Sequence, residues 1–220
     1  MKPRPKKVDE GGDEDWLVTF SDTISLLLAF FVMLVSFSKI DIPTFEKVQA
    51  GIKKEIGKQD QPQQPIFTLF NNLNAVLDGA PIEREAVQVG FDDQGIVIEF
   101  ASGSFFKPGS AELLDAAKTT LDGISDEMTL PAYELYFIEV EGHTDDTPIA
   151  TAMFPSNWEL SAGRASTVVR YFIGKSLVPE RLKASGYADI RPKLPNRDIT
   201  GTPIPENQAA NRRIVIRLHP

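Results

Sequence analysis

One acidic residue, Asp22, lies inside an otherwise apolar and uncharged segment. Residues 17–38 read LVTFSDTISLLLAFFVMLVSFS, and Asp22 is the one ionisable side chain among them. A helix of that length rises about 33 Å, close to the hydrocarbon thickness of a bilayer, about 30 Å. Trp16 stands at one border, where an amphipathic ring is favoured, and Lys39 and Asp41 stand at the other. We therefore predict a single membrane-spanning helix.

The carboxylate distinguishes this predicted span from an ordinary anchor. An Asp near the centre of a span costs roughly 2.5–3.5 kcal/mol, and Asp22 lies about a turn and a half inside one end, where the cost is smaller. Thr19, Ser25 and Ala29 share its helical face, and such small, weakly polar side chains suit an ion path or a second helix. The alternatives, a plain anchor or a cleaved signal peptide, would gain nothing from the charge. We interpret Asp22 as a site that binds and releases a proton or a cation.

A second group of polar residues lies at the predicted ends of strands and helices. It comprises GHTDD at 142–146, NWELSAGRA at 157–165 and NRR at 211–213. His143, Asp145 and a serine could form a hydrolase triad, but no nucleophile elbow or metal-ligand spacing accompanies them. A carboxylate and a guanidinium that face each other instead match a zwitterion. We therefore predict recognition of a ligand at this group, and no enzyme.

These residues require a folded domain to position them. Strands are predicted at 86–91, 95–100, 134–141, 182–187 and 213–218, and helices at 110–128 and 156–174. Ser110 is predicted to cap the first helix, and Ser156-x-x-Glu159 is a capping box for the second, which Gly174 closes. The inward side chains of the second helix are predicted to be Leu160, Ala165, Val168, Val169 and Phe172. Helices that cross over between strands favour an α+β fold, a mixed sheet and helices sharing one core.

The segment between the span and this domain has two parts. Residues 42–58 place four apolar side chains on one face of a short amphipathic helix, which could pack on lipid or on the downstream domain. These side chains are Phe45, Val48, Ile52 and Ile56. The sequence QDQPQQP follows, a linker whose composition cannot build a core.

Composition and charge exclude several functions. The net charge of −8 argues against a nucleic-acid surface, which needs clustered Lys and Arg. The chain has no cysteine, which excludes disulfides, thiolate catalysis and cysteine metal sites. The first 15 residues, basic and then acidic, are typical of a solvated tail. Lys and Arg counts on the two sides of the span do not decide its orientation.

The three polar motifs resemble the signature of the OmpA-like peptidoglycan-binding domain, over residues 86–219. The resemblance implies that Asp145 and Arg164 hold the amine and the carboxylate of a peptidoglycan peptide, at diaminopimelate. It further implies that Asn157 and Arg212 line or brace the pocket.

The membrane segment resembles the flagellar stator B subunit family (MotB/PomB-like). The resemblance rests on Trp16–Asp22, on residues 26–38, and on two stretches of the downstream domain, 143–149 and 154–161. It implies a homodimer whose two spans lie inside a ring of multi-span A subunits (MotA/PomA-like), in the inner membrane. Asp22 would carry protons or sodium ions, without any other cofactor, and the ion flow would drive torque.

This resemblance also implies a division of the chain. Residues 1–15 would be a cytoplasmic tail, 16–39 the transmembrane helix, 40–65 a plug helix and linker, and 66–220 a periplasmic peptidoglycan-binding domain. Phe45, Val48, Ile52 and Ile56 would then belong to a plug that blocks ion flow before assembly. Two other functions stay open, a passive OmpA-like envelope anchor and the B subunit of a related gliding, envelope-energising or defence complex.

The plug interpretation predicts the effect of removing residues 42–57. Cells that express both subunits with this deletion should leak ions and grow slowly, because nothing would block the pathway in unassembled units. Growth rate and cytoplasmic pH measure the leak, and normal values for both would reject the plug.

Overall fold

The structure is a computed structural model that describes residues 15–37 and 65–220, divided between a unit of residues 1–40 and a unit of residues 41–220. The predicted plug and most of the linker, with Phe45, Val48, Ile52 and Ile56, lie outside the described residues.

The apolar segment forms one helix, α1 (Asp15–Phe37). Its residues 16–34 have a mean hydropathy of 2.1 and are long enough to cross a membrane. Large apolar side chains are exposed along the whole of this stretch. Hydroxyl groups of Thr23 and Ser25 donate hydrogen bonds to carbonyl oxygens one turn earlier. These two hydroxyl groups are thereby satisfied inside the helix, as a lipid environment requires.

A five-stranded mixed sheet forms the centre of the second unit. Its strands are β1 (Val87–Phe91), β2 (Ile96–Ala101), β3 (Phe137–Gly142), β4 (Leu182–Gly186) and β5 (Arg213–His219). Their order across the sheet is β1-β2-β5-β3-β4, with β3 and β4 parallel and the other neighbours antiparallel. Gly142 pairs with Ile214, so the end of β3 lies beside the start of β5.

The helices of this unit are α2 (Pro65–Asp78), α3 (Ser102–Phe105), α4 (Asp115–Met128), α5 (Asn157–Gly174) and α6 (Pro205–Asn211). Helices α2 to α5 contribute side chains to the core that buries the apolar residues of this sheet, and the short helix α6 precedes β5. The core includes Ile98, Phe100, Val140, Ile214 and Ile216, together with Leu121, Val168 and Phe172 from the helices. The α+β prediction is confirmed, and so are the five strands to within three residues at each end.

Helix α2 was not predicted, although its sequence has helical periodicity. Four apolar side chains, at steps of three and four residues, are fully or almost fully buried: Ile66, Leu69, Leu73 and Leu77. At the start of this helix, the rings of Phe67 and Phe70 contact Phe91, with ring centres 5.4 and 4.6 Å away. The chain therefore enters the domain at the end of the sheet where β1 finishes.

The predicted helix start at Ser110 is wrong, because α4 begins at Asp115. Ser110 Oγ instead accepts a hydrogen bond from Glu112 N at 3.0 Å, and Phe106 pairs with Leu113 in an isolated β-bridge. The backbone of residues 106–113 is thus engaged in a turn and cannot belong to the helix.

One other predicted boundary also differs. β3 starts at Phe137 rather than at residue 134, because residues 131–133 form a turn of 3₁₀ helix. The end of α5 agrees with the prediction, because Gly174 is its last residue, but Gly174 is not in the left-handed conformation. That conformation falls on Ser176, with φ of 70°.

The second predicted helix, α5, has the expected capping and inward face. Ser156 Oγ accepts a hydrogen bond from Trp158 N at 3.2 Å and donates one to the Glu159 carboxylate at 2.5 Å. The predicted inward residues are buried, except Val169, which is partly buried against the core.

Two glycines allow α5 to lie directly on the sheet. A Cβ atom at Gly142 would stand 2.1 Å from the carbonyl oxygen of Ser161, and one at Gly186 would stand 2.5 Å from the amide nitrogen of Ala162. Both distances are far below van der Waals contact, so only glycine permits this approach. The contact fixes α5 relative to the residues that follow β3.

Gly142→Ala should therefore destabilise the domain. We expect a loss of roughly 1–3 kcal/mol, the usual cost of overpacking, because backbone would have to move. Gly174→Ala is the matched control, since no atom lies within 4 Å of the added Cβ. Urea unfolding of residues 65–220, followed by circular dichroism, measures both, and equal midpoints would contradict the close contact.

Candidate functional site

The turn after β3 places Asp145 at the end of the sheet where β5 begins. The amide nitrogen of Thr144 donates to the carbonyl oxygen of Ala188 at 2.9 Å, which ties this turn to the loop after β4. Asp145 Oδ1 accepts a hydrogen bond from Thr147 N at 3.0 Å. The side chain is buried, with 8% of its surface exposed. Its conformation is therefore set by the backbone around it.

Arg212 supplies the charge that faces Asp145. It follows α6 directly, and its Nη1 lies 2.5 Å from Asp145 Oδ2. The arginine side chain is 47% exposed, whereas the carboxylate is buried. The ion pair thus runs from the protein interior to solvent, and its outer partner is free to adjust.

Asn157 braces the same turn from α5. Its side-chain Nδ2 donates to the carbonyl oxygen of Asp145 at 3.2 Å and to that of Thr147 at 3.0 Å. Because Asn157 is the first residue of α5, the contact between helix and sheet also positions the turn. The amide therefore contacts the backbone of Asp145, while Arg212 contacts its carboxylate.

Arg164 is a buried cation with neutral hydrogen-bond acceptors. Its Nε donates to the carbonyl oxygen of Ser110 at 2.9 Å, and its Nη1 donates to Ser102 Oγ at 2.7 Å. The guanidinium carbon lies 5.2 Å from the centre of the Phe106 ring. Only 6% of the residue is exposed, and no carboxylate of residues 15–37 or 65–220 lies within 4.0 Å of it. A buried charge without a counter-ion is unusual, because burial is costly unless the charge is paired.

The electrostatics of Arg164 follow from this environment. The pKa of Arg164 is lowered to about 10, mainly by burial and also by the nearby Arg212, while Asp145 acts in the opposite direction. The guanidinium is still charged at neutral pH. The two predicted ligand-binding residues therefore share one electrostatic environment, and an anion would be stabilised at Arg164.

The structure does not assemble a hydrolase triad at His143. The buried imidazole Nε2 lies 3.2 Å from Glu141 Oε2, and its ring stacks on Tyr187 with centres 5.4 Å apart. Its partner is thus neither Asp145 nor a serine. His143 belongs to the packing beneath the site.

Sequence reasoning missed the acceptors around Arg164. Ser102 and Ser110 lie 62 and 54 residues before it, and no spacing rule relates them. It also left Asp146 without a role. Asp146 Oδ2 lies 2.5 Å from Arg197 Nε, and its Oδ1 accepts from Gln208 Nε2 at 2.7 Å. The hydrogen bond from Gln208, with that from Arg197, lowers the pKa of Asp146 despite an opposing effect of burial.

Two family models match this sequence. The OmpA family matches residues 105–212. A family described as membrane MotB of the proton-channel complex MotA/MotB matches residues 1–56.

Two relatives match almost the whole chain. YtxE of Bacillus subtilis, described as an uncharacterized protein, is 35% identical over 91% of this chain and 86% of its own length. Motility protein B of Helicobacter pylori is 27% identical over 98% of this chain and 90% of its own length.

Solved structures share the fold of the second unit. A MotB-like protein from Desulfovibrio vulgaris has a TM-score of 0.60 and 30% identity, covering 71% of this chain and 94% of its own. The cell wall anchor of the T6SS from Pseudomonas aeruginosa has a TM-score of 0.56 and 27% identity, covering 69% and 96%. The N-terminal segment and the C-terminal domain therefore both have counterparts in MotB proteins. The apolar helix suits a single-pass inner-membrane protein. The chain belongs to the family of MotB-like proteins with a C-terminal OmpA-like domain.

Proposed function

We propose that this chain is the ion-conducting B subunit of a flagellar motor stator, which couples proton or sodium flow to torque while its C-terminal domain holds peptidoglycan. One observation carries the proposal: a carboxylate within an apolar helix and a buried guanidinium without a counter-ion occur in the same chain. The first group suits a moving cation and the second suits a fixed anion. A machine that transmits force needs both an energy source and an anchor.

Asp22 is the group proposed to carry the ion. No cationic side chain of the described residues lies within ion-pair distance of it, so the groups that surround it would come from a second copy or from a multi-span A subunit. Moving one charge through 100 mV supplies about 2.3 kcal/mol. That energy is comparable to the roughly 2.5–3.5 kcal/mol cost of an Asp deep in a bilayer. A modest change in its surroundings would therefore load or release the ion.

The wall ligand proposed for the second unit is the zwitterionic end of a peptidoglycan stem peptide. Its carboxylate would lie against Arg164, and its ammonium would lie against Asp145. Asp145 has already lost most of its water, and Arg212 neutralises it before the ligand arrives. Because Arg212 is half-exposed, it can share the carboxylate with an ammonium group. Asn157 would keep the turn in place during binding.

Anchoring to the wall also sets the proposed orientation. The domain that binds peptidoglycan must lie in the periplasm, so the N-terminal tail would be cytoplasmic. Two spans, from a homodimer, would lie within a ring of MotA/PomA-like subunits.

Two other functions remain as competitors. The similarity to a T6SS cell wall anchor favours a passive anchor, for which Asp22 would be dispensable. The B subunit of another ion-driven envelope complex would need Asp22 but would not support swimming.

Asp22→Asn should abolish swimming in cells that have this chain as their B subunit. An amide neither takes up a proton nor balances a cation, so the ion cycle stops. Swimming speed measures the effect, immunoblots establish equal protein levels, and Asp9→Asn in the tail is the matched control. Swimming at the parental speed would reject the ion-carrying role of Asp22 and favour the passive envelope anchor.

Arg164→Ala should weaken binding to purified sacculi by about tenfold or more, because hydrogen bonds to charged groups contribute roughly 1.5–3 kcal/mol. Sedimentation with sacculi measures the affinity. Arg164→Gln serves as a second variant that retains more of the packing. Arg170→Ala removes an exposed arginine of the same helix, bonded to Thr167, and should bind normally. Unchanged binding by both Arg164 variants would reject the pocket.

A further inference from the structure

Two adjacent carboxylates in the turn after β3 have different environments. Asp145 pairs through one oxygen with a half-exposed arginine, Arg212. Both oxygens of Asp146 are occupied by side chains of the protein, Oδ2 by Arg197 and Oδ1 by Gln208. A ligand ammonium could share Asp145, whereas at Asp146 it would have to displace existing partners. Their chemical roles should therefore differ.

One partner of Asp146 lies on an ordered hairpin, residues 196–204. Ile204 N donates to the carbonyl oxygen of Asn196 at 2.9 Å, and Asp198 Oδ1 accepts from the amides of Thr200 and Thr202 at 2.8 and 2.9 Å. Arg197 crosses this hairpin, because its Nη1 donates to the Gly201 carbonyl oxygen at 3.1 Å while its Nε contacts Asp146. Asp146 thus holds the hairpin against the turn that carries Asp145.

The other partner lies on α6. Gln208 and Arg212 are four residues apart, one helical turn, and they contact the neighbouring carboxylates Asp146 and Asp145. Gln208 therefore fixes the rotation of α6, and that rotation brings Arg212 to Asp145.

We infer that Asp146 is a positioning residue for the peptide pocket, which holds the hairpin and α6 so that Arg212 stays at Asp145. The inference rests on the proposed function of the pocket as a peptidoglycan site. Asp146 does not contact the peptide, and its carboxylate acts through Arg197 and Gln208.

We expect the fold to survive without this contact, because a separate residue anchors the preceding loop. Asn211 is fully buried, and its side chain bonds to the amides of Lys193 and Leu194 and to the Leu194 carbonyl oxygen. Asn211 Nδ2 also donates to Asn196 Oδ1 at 2.8 Å, at the base of the hairpin. Loss of the Asp146 carboxylate would therefore loosen the hairpin beyond Asn196 and loosen Arg212, while the sheet stays folded.

The test uses the full chain in detergent and sedimentation with purified sacculi. Asp146→Asn and Arg197→Gln should each weaken binding about threefold to tenfold, as expected for one half-exposed ion pair with its hydrogen bonds. The double variant should bind sacculi no worse than the single variant with the lower affinity, since both changes break the same ion pair between Asp146 and Arg197. Asp122→Asn breaks the ion pair with Lys175 elsewhere and serves as the control. Additive losses, or parental binding by both single variants, would overturn the inference.

Amide hydrogen exchange separates positioning from general destabilisation. In Asp146→Asn and Arg197→Gln, amides of residues 196–204 should exchange at least about tenfold faster, while those of β3 and β5 stay protected. Unchanged exchange in the hairpin, or equal loss throughout the sheet, would overturn the inference. If both Arg164 variants bind sacculi normally, the proposal that this domain binds the wall fails instead. Weak binding by Arg164→Ala with parental binding by Asp146→Asn would reject the positioning role alone.

Discussion

The direct contact of α5 with β3 and β4 is the constraint on which the site depends. Gly142 and Gly186 leave room for the helix backbone at the ends of these strands. Asn157, at the start of the helix, consequently reaches the backbone of Asp145. Arg164, two turns further along, reaches the groups that follow β2. The distance between the two proposed ligand-binding charges is therefore a property of the packing, and no flexible loop determines it.

Much of the fold follows from local sequence patterns. Alternating apolar residues predicted the strands, and Ser156 with Glu159 predicted the start of α5, because these signals act within a few residues. The predicted helix start at Ser110 was wrong for the same reason, since a serine hydroxyl is equally able to stabilise a turn. Helix α2 was missed although its buried stripe has clear helical spacing.

The site was only partly predictable. The motifs indicated Asp145 and Arg164, but the acceptors of Arg164 come from residues more than 50 positions earlier in the chain. The ion pair between Asp145 and Arg212 joins residues 67 positions apart. Such contacts depend on the order of strands in the sheet, which local patterns do not encode. The same limit applies to Asp146, whose partners lie on the hairpin and α6.

The strand order has a mechanical consequence. The pocket adjoins the end of β3 and the start of β5, whereas the start of α2 packs at the opposite end of the sheet, against Phe91. Under the proposed anchoring function, tension between wall and membrane would pass from β5 through β2 to β1, across two antiparallel ladders of six and five residue pairs. Such tension pulls along the strands, so the hydrogen bonds of each ladder resist together in shear and do not unzip in succession. A domain with this topology suits sustained pulling.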